Sequence, residues 1–303
     1  MTATVPPASS AAAAAAGVPS GRRPVRRLGA LELTGLLMVS AVVLFCLLYP
    51  LLPPYSPYAQ DLSSTFGSPF TDADHWLGTD NLGRDIASRL ALAGRVTLSI
   101  VVGVIAVNAT LGTLVGVVSG YLGGRVDNLL MGVADVQLAL PILLILIALS
   151  AATGPSVWLM IIVLACTYWV GYARVARAVA LSLRHRDFVL SPRIQGAGVG
   201  WILRRHVLPN VVGEMFILAS SDIGAIILLT SSFDFLGLGV QPPVPSWGLM
   251  IGQGQKYLRQ HPALAAVPGL TIFLVVAGVN LLSRRFTSEA TGSGGFTGSR
   301  GPR

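Results

Sequence analysis

The chain has 303 residues, 53% of them hydrophobic and only 11% charged, and its mean hydropathy is +0.70. No soluble domain of this length has a core that hides so much apolar surface, so the composition places the chain in a bilayer. A formal net charge of +8 would suit nucleic acid in a soluble protein, but the placement of the basic residues assigns it to membrane orientation, and no nucleic-acid partner is expected.

Residues 1–28, rich in Ala, Ser and Pro, are expected to be a disordered cytoplasmic tail. The cluster Arg22, Arg23, Arg26 and Arg27 precedes an apolar run, as in a secretory signal. That run continues to Leu52 and meets prolines and tyrosines rather than a small-residue cleavage site, so it reads as an uncleaved first span. Crossing about 30 Å of hydrocarbon takes roughly 20 apolar residues. Six runs qualify: 31–52, 95–119, 129–150, 157–179, 211–232 and 264–283.

With the N-terminus inside, 16 of the 21 Lys and Arg residues are cytoplasmic, leaving Arg84, Arg89, Arg95, Lys256 and Arg259 outside. The expected fold is an all-α, multi-pass protein of the cytoplasmic membrane, with both termini cytoplasmic. Its membrane domain covers 29–285 and a disordered tail covers 286–303. Short links at 121–128 and 151–156 make neighbouring helices antiparallel. Gly103, Gly112, Gly116 and Gly120 recur in the second span, a spacing that permits close helix contact without naming the partner helix. Cys46 and Cys166 lie inside apolar runs without metal-ligand spacing and read as small packing residues.

Two external loops, 53–94 and 233–263, are polar. The first contains HWLGTDNLGRD at 75–85, where Thr79 or Asp80 is expected to cap a short helix and Arg84 and Asp85 to tie the loop together. The second contains FLGLGVQPPVPSWG at 235–248. Gly237 and Gly239 end the fifth span, the prolines force an extended path, and Trp247 suits the bilayer interface with its N–H in water. Between the fourth and fifth spans lies the cytoplasmic loop 180–210, with the basic insert RHRDFVLSPRIQGAGVGWILRRHVLPN at 184–210. An insert of this size on a membrane protein reads as a handle for a partner.

These segments, together with GYLGGRVDNLLM at 120–131 and RHVLPN at 205–210, carry a resemblance. From about residue 30 to 283 the chain resembles the dipeptide/oligopeptide/nickel family of ABC importer permeases, and within it the second, C-type permease of the pair. The resemblance implies a type I importer (MetI-like) permease fold of six helices, paired with a sister permease. It also implies two ATP-binding ATPase subunits or domains, which hold ATP and Mg, and an extracytoplasmic binding protein that delivers peptide. Asp80, Arg84, Asp85, Gln241 and Trp247 are then candidates for docking that protein.

The sequence supports this division of labour. A P-loop requires a lysine in G-x-x-x-x-G-K-[ST], whereas the single lysine here, Lys256, precedes Tyr257 in an external loop. The chain therefore carries no Walker A site of its own and ATP chemistry belongs to other chains; no bound cofactor and no enzymatic activity are expected of it. The family's coupling motif reads Glu-Ala-Ala followed by Gly, a helix seated in a groove of the ATPase. Gly196 matches the glycine, Asp187 and Phe188 the lead-in, and Arg205 to Asn210 the exit. Leu190, Ser191 and Pro192 replace Glu-Ala-Ala. Serine as N-cap with proline at the first helical position predicts a shifted coupling helix from about Pro192 to Arg204. Docking would then rest on Arg193, Trp201, Arg204 and Arg205, against an acidic ATPase face.

Charged groups inside spans are costly and mark a wet path or a partner. Asp135 and Asp222 are candidates for the cargo path, meeting a peptide's terminal amine, with Asn108 and Thr230 behind them. The alternative for each aspartate is a helix-to-helix hydrogen bond, Ser220 and Ser221 flanking Asp222. An intramembrane aspartyl protease would also use two aspartates, but neither follows a Gly-x-Gly, and no Gly-x-Ser-x-Gly or His-Glu-x-x-His occurs. A secondary transporter working alone would show inverted repeats and would leave the insert at 184–210 without purpose. The expected activity is import of di- or oligopeptides, with nickel, haem or another small solute as alternatives.

Overall fold

The computed structural model describes residues 29–52, 55–71 and 74–292. The expectations for 1–28 and for the tail beyond 292 lie outside them. Among the described residues the structure is helical, apart from one β-bridge between Thr79 and Asp85. In chain order the helices are α1 (Ala30–Leu48), α2 (Ile86–Leu122), α3 (Gly124–Leu138), α4 (Ile142–Thr153) and α5 (Val157–Leu183). They continue with α6 (Asp187–Ile194), α7 (Val199–Ile202), α8 (Leu208–Phe235), α9 (Trp247–Gln255) and α10 (Ala263–Gly292). Five helical runs are long and apolar enough to cross a membrane, and a sixth crossing arises if the bent pair α3 and α4 is one span.

Four expectations need correction. The second span begins at Ile86 rather than 95, because the Asp85 carboxylate accepts from Ser88 N at 2.7 Å and caps the helix there. The third span is two helices bent by 75°. Pro141 has no N–H to continue α3, so the last turn tightens through Ala139 N to Val136 O and Leu140 N to Gln137 O, and a new helix starts at Ile142. The fifth span is longer than 211–232: helix runs from Val199, through a π turn at Leu203–Val207, to Phe235. The last helix continues to Gly292, past the boundary expected at 285.

The central packing unit is a parallel pair, α2 on α5. A side chain added at Gly112, Gly116 or Gly120 would meet the backbone oxygens of Trp169, Ala173 and Arg177 at 2.4, 2.2 and 2.5 Å. The glycine row lets the two backbones touch, turn by turn and in constant register. Gly103, on the same helix, has nothing within 4 Å of the equivalent position. On the antiparallel side, α10 packs along α1, α8 and α9.

At the C-terminal end of the pair, Asp127 of α3 accepts from Arg177 Nε and Nη2 at 2.6 Å each, and from Ser119 Oγ. This fork ties α2, α3 and α5 together. Asp127→Ala is expected to lower stability by about 2 kcal/mol, below the value for a fully buried pair because the Arg177 side chain is 36% exposed. The thermal midpoint of the detergent-solubilised protein should fall by several degrees, and adding Arg177→Met should recover part of the loss. An unchanged midpoint for Asp127→Ala would remove the pair from the account.

Candidate functional site: a knob between α5 and α8 and a polar layer in the membrane

The insert between α5 and α8 folds into a compact knob. Its helix is α6, Asp187–Ile194, and not the expected Pro192–Arg204; Pro192 sits inside it. Burial decides the register. Val189, Ile202 and Val207 are each 0% exposed and join Val117, Tyr121, Tyr172, Ala176 and Val211 in one apolar cluster. Starting the helix at Pro192 would strip Val189 of its place, whereas Pro192 removes one helical donor only. Asp187 lies in the first turn, where the helix dipole favours it, and Arg193 in the last.

The chain then turns at Gly196, whose φ is +82°. Gly196 N donates to Arg193 O and Ala197 N to Pro192 O, closing the helix end. His206 lies between Phe188 and Trp201, with ring centroids 6.3 and 5.1 Å away.

The knob is thus rooted in the adjoining ends of α2, α5 and α8, while its outer surface is apolar and basic. Phe188, Ile194 and Trp201 are 44%, 85% and 53% exposed, and Asp187, Arg193, Gly196, Arg204 and Arg205 are exposed around them. Ile194 escaped the sequence reading. An isoleucine in a polar insert was the available signal, but it became legible only once α6 was known to end there.

Between α1 and α2, the first loop folds on its own carboxylates. Asp80 accepts from Leu82 N, Arg84 N and Arg84 Nε, so it caps a turn and not a helix. Asp85 caps α2 and also meets Tyr49 Oη at 3.4 Å and His75 Nδ1 at 3.3 Å. Ser63 and Ser64 donate to Asp61, which holds that carboxyl below the usual carboxylate range. Asp80, Arg84 and Asp85 are buried, so these three docking candidates brace the loop and do not present their charges to a partner.

Trp247 is corrected in the same sense. It is 0% exposed, and its N–H donates to Leu90 O rather than to water. Asp234, buried in α8, anchors the second loop by accepting from Val240 N at 2.8 Å. Gln241 stays exposed, donating to Gly237 O and Gly239 O.

The intramembrane candidates separate into two groups. Asp135 pairs with Arg174 at 2.7 Å on the exposed side of α3 and α5, and the buried Thr230 hydroxyl donates to Ile226 O and Ile227 O of its own helix. Asp222 is half-buried and faces Tyr168 and Tyr172 of α5. Ser220 and Ser221 donate instead to Ile217 O, so they do not supply its partner. Asn108 is 0% exposed, and neither of its side-chain polar atoms has a protein partner.

A multi-pass helical bundle with a knob between α5 and α8 and braced loops at its other end is the architecture of a membrane transporter's permease. Residues 112–289 match the family described as binding-protein-dependent transport system inner membrane component, and the chain belongs to that family. It is 39% identical over 247 residues to the nickel transport system permease protein NikC of Escherichia coli (strain K12), covering 82% of this chain and 88% of that one. Over 254 residues it is 35% identical to the dipeptide transport system permease protein DppC of Alkalihalophilus pseudofirmus, covering 83% and 82%. It is 34% identical over 251 residues to the probable D,D-dipeptide transport system permease protein DdpC of Escherichia coli (strain K12), covering 83% and 84%. The chain is an all-α ABC permease subunit with a MetI-like fold and a multi-pass membrane protein.

Proposed function

We propose that this chain is one of two permease subunits in an ATP-driven importer that carries di- and oligopeptides across the cytoplasmic membrane. Its partners in this reading are a sister permease, two ATPase subunits or domains that hold ATP and Mg, and an extracytoplasmic binding protein. The observation that carries the reading is the knob: a surface of Phe188, Arg193, Ile194 and Trp201 faces out from a root of Val189, Ile202 and Val207. An apolar patch ringed by arginines suits a groove with an acidic rim on the ATPase.

ATP draws the two ATPases together, and the knob moves with them. Because α7, the π turn and α8 form one helical run from Val199 to Phe235, a displacement at the knob reaches the middle of the membrane as rotation of α8. The bundle rocks against its sister and opens outward, and the binding protein releases cargo over the two external loops, where Gln241 is exposed. Hydrolysis restores the inward-open state. With Arg174, Arg177 and the knob inside, both termini are cytoplasmic.

Nickel is the second reading, favoured by the 39% identity to the nickel permease against 35% for the dipeptide permease. The full importer in proteoliposomes, offered radiolabelled dialanine or radiolabelled nickel, separates the two. ATP-dependent dipeptide accumulation that unlabelled peptides suppress and nickel does not is the expected result. Accumulation of nickel alone would replace peptide by metal.

A further inference from the structure

We propose that Asp222, together with Tyr168, Tyr172 and Asn108, forms a site at mid-membrane for a positively charged group of the cargo, an ammonium in the case of a peptide. The proposal rests on the importer reading above and adds what the path recognises. Three helices contribute at one depth. Asn108 precedes the inner end of α2 by about 14 residues and Asp222 follows the inner end of α8 by about the same, each about 21 Å along its helix. Tyr168 and Tyr172 lie one turn apart on α5, and Tyr172 packs against Gly112, one turn inward from Asn108. The four side chains form a polar layer about halfway through the hydrocarbon.

The layer's own groups leave capacity for a guest. Tyr172 is 0% exposed, and its hydroxyl approaches the Asp222 carboxylate without forming a proper hydrogen bond. Asn108 keeps both its donor and its acceptor free of protein partners. Buried polar groups are ordinarily satisfied, so the unpaired Tyr172 hydroxyl beside Asp222, with two unpaired Asn108 atoms at the same depth, describes a site and not a packing contact. A half-buried carboxylate at this depth is costly alone. An ammonium lowers that cost by charge pairing, by donating to the tyrosine and asparagine oxygens, and by resting on aromatic faces. Since Asp222 lies on the same helical run as the knob, movement of α8 carries the carboxylate relative to the tyrosines and changes the grip on the cation.

The test uses the complete importer in proteoliposomes, with radiolabelled dilysine and dialanine as probes. Asp222→Asn should lower uptake by about tenfold, with a larger loss for dilysine, so that the dilysine to dialanine ratio falls. ATP hydrolysis stimulated by the loaded binding protein should persist, and Asp222→Glu should recover both uptake and ratio. Equal losses for the two probes, or wild-type uptake by Asp222→Asn, would overturn the site. Wild-type vesicles that import neither probe would count against the peptide reading instead. Nickel uptake is then compared in the same variants, and an unchanged rate in Asp222→Asn sinks the cation site.

Discussion

Gly116→Leu is expected to remove the folded permease from the membrane, whereas Gly103→Leu on the same helix should leave it intact. A Cβ at Gly116 falls 2.2 Å from the carbonyl oxygen of Ala173 and 2.7 Å from the Cβ of Ala176. Neither is the free end of a flexible side chain, so the helices must separate. Separation at Gly116 also opens the contacts at Gly112 and Gly120, which share the register with Trp169 and Arg177. Overpacking at one core position costs about 1–3 kcal/mol, and in a bilayer, where close packing is itself the force between helices, no hydrophobic gain offsets it. We expect a total above 3 kcal/mol by the same reasoning. Size-exclusion chromatography of a fluorescent fusion should show the folded peak for Gly103→Leu and lose it for Gly116→Leu. A normal peak for Gly116→Leu would mean that α2 and α5 do not meet along this row.

Those two glycines also show how far the sequence alone could be read. Hydropathy reveals helices because each must satisfy its backbone internally in lipid, and five of the six spans follow from it. It averages over Leu138 to Ile142 and so hides the bend at Pro141, which is a matter of one missing donor. It also misplaces the start of α2, since Arg89 looks like a loop residue. Arg89 is in fact 2% exposed and donates to Gln253, and partners 164 positions apart leave no local signature. Trp247 misleads likewise: an indole beside prolines suggests the interface, but its N–H finds Leu90 O. In the knob, the local signal of Ser191 and Pro192 loses to the burial of Val189, a tertiary effect. Asp222 stood out in the sequence because a charge in an apolar run always does; its tyrosine neighbours follow only from how α5 lies against α8.

Gly196→Val is expected to abolish uptake while the permease still inserts and folds. A Cβ at 196 would meet nothing within 4 Å, so the effect is conformational: φ of +82° suits glycine and is an outlier for a β-branched residue. Left-handed geometry costs an ordinary residue about 1–2 kcal/mol, and a short exposed turn relieves that cost by changing shape. The closure of Ala197 N on Pro192 O is then lost, and α6 shifts against α7. Phe188, Arg193 and Ile194 sit on one side of that turn and Trp201 on the other, so the docking surface is divided. The α2 and α5 seam is untouched, which keeps folded yield at the wild-type level. Uptake should drop by at least about tenfold, and so should the ATPase stimulation that the loaded binding protein gives, because the fault lies in transmission. Gly196→Asn provides the contrast, since asparagine tolerates the left-handed region and should retain most of the transport. If valine and asparagine behave alike, the turn's geometry does not matter and force enters the permease elsewhere.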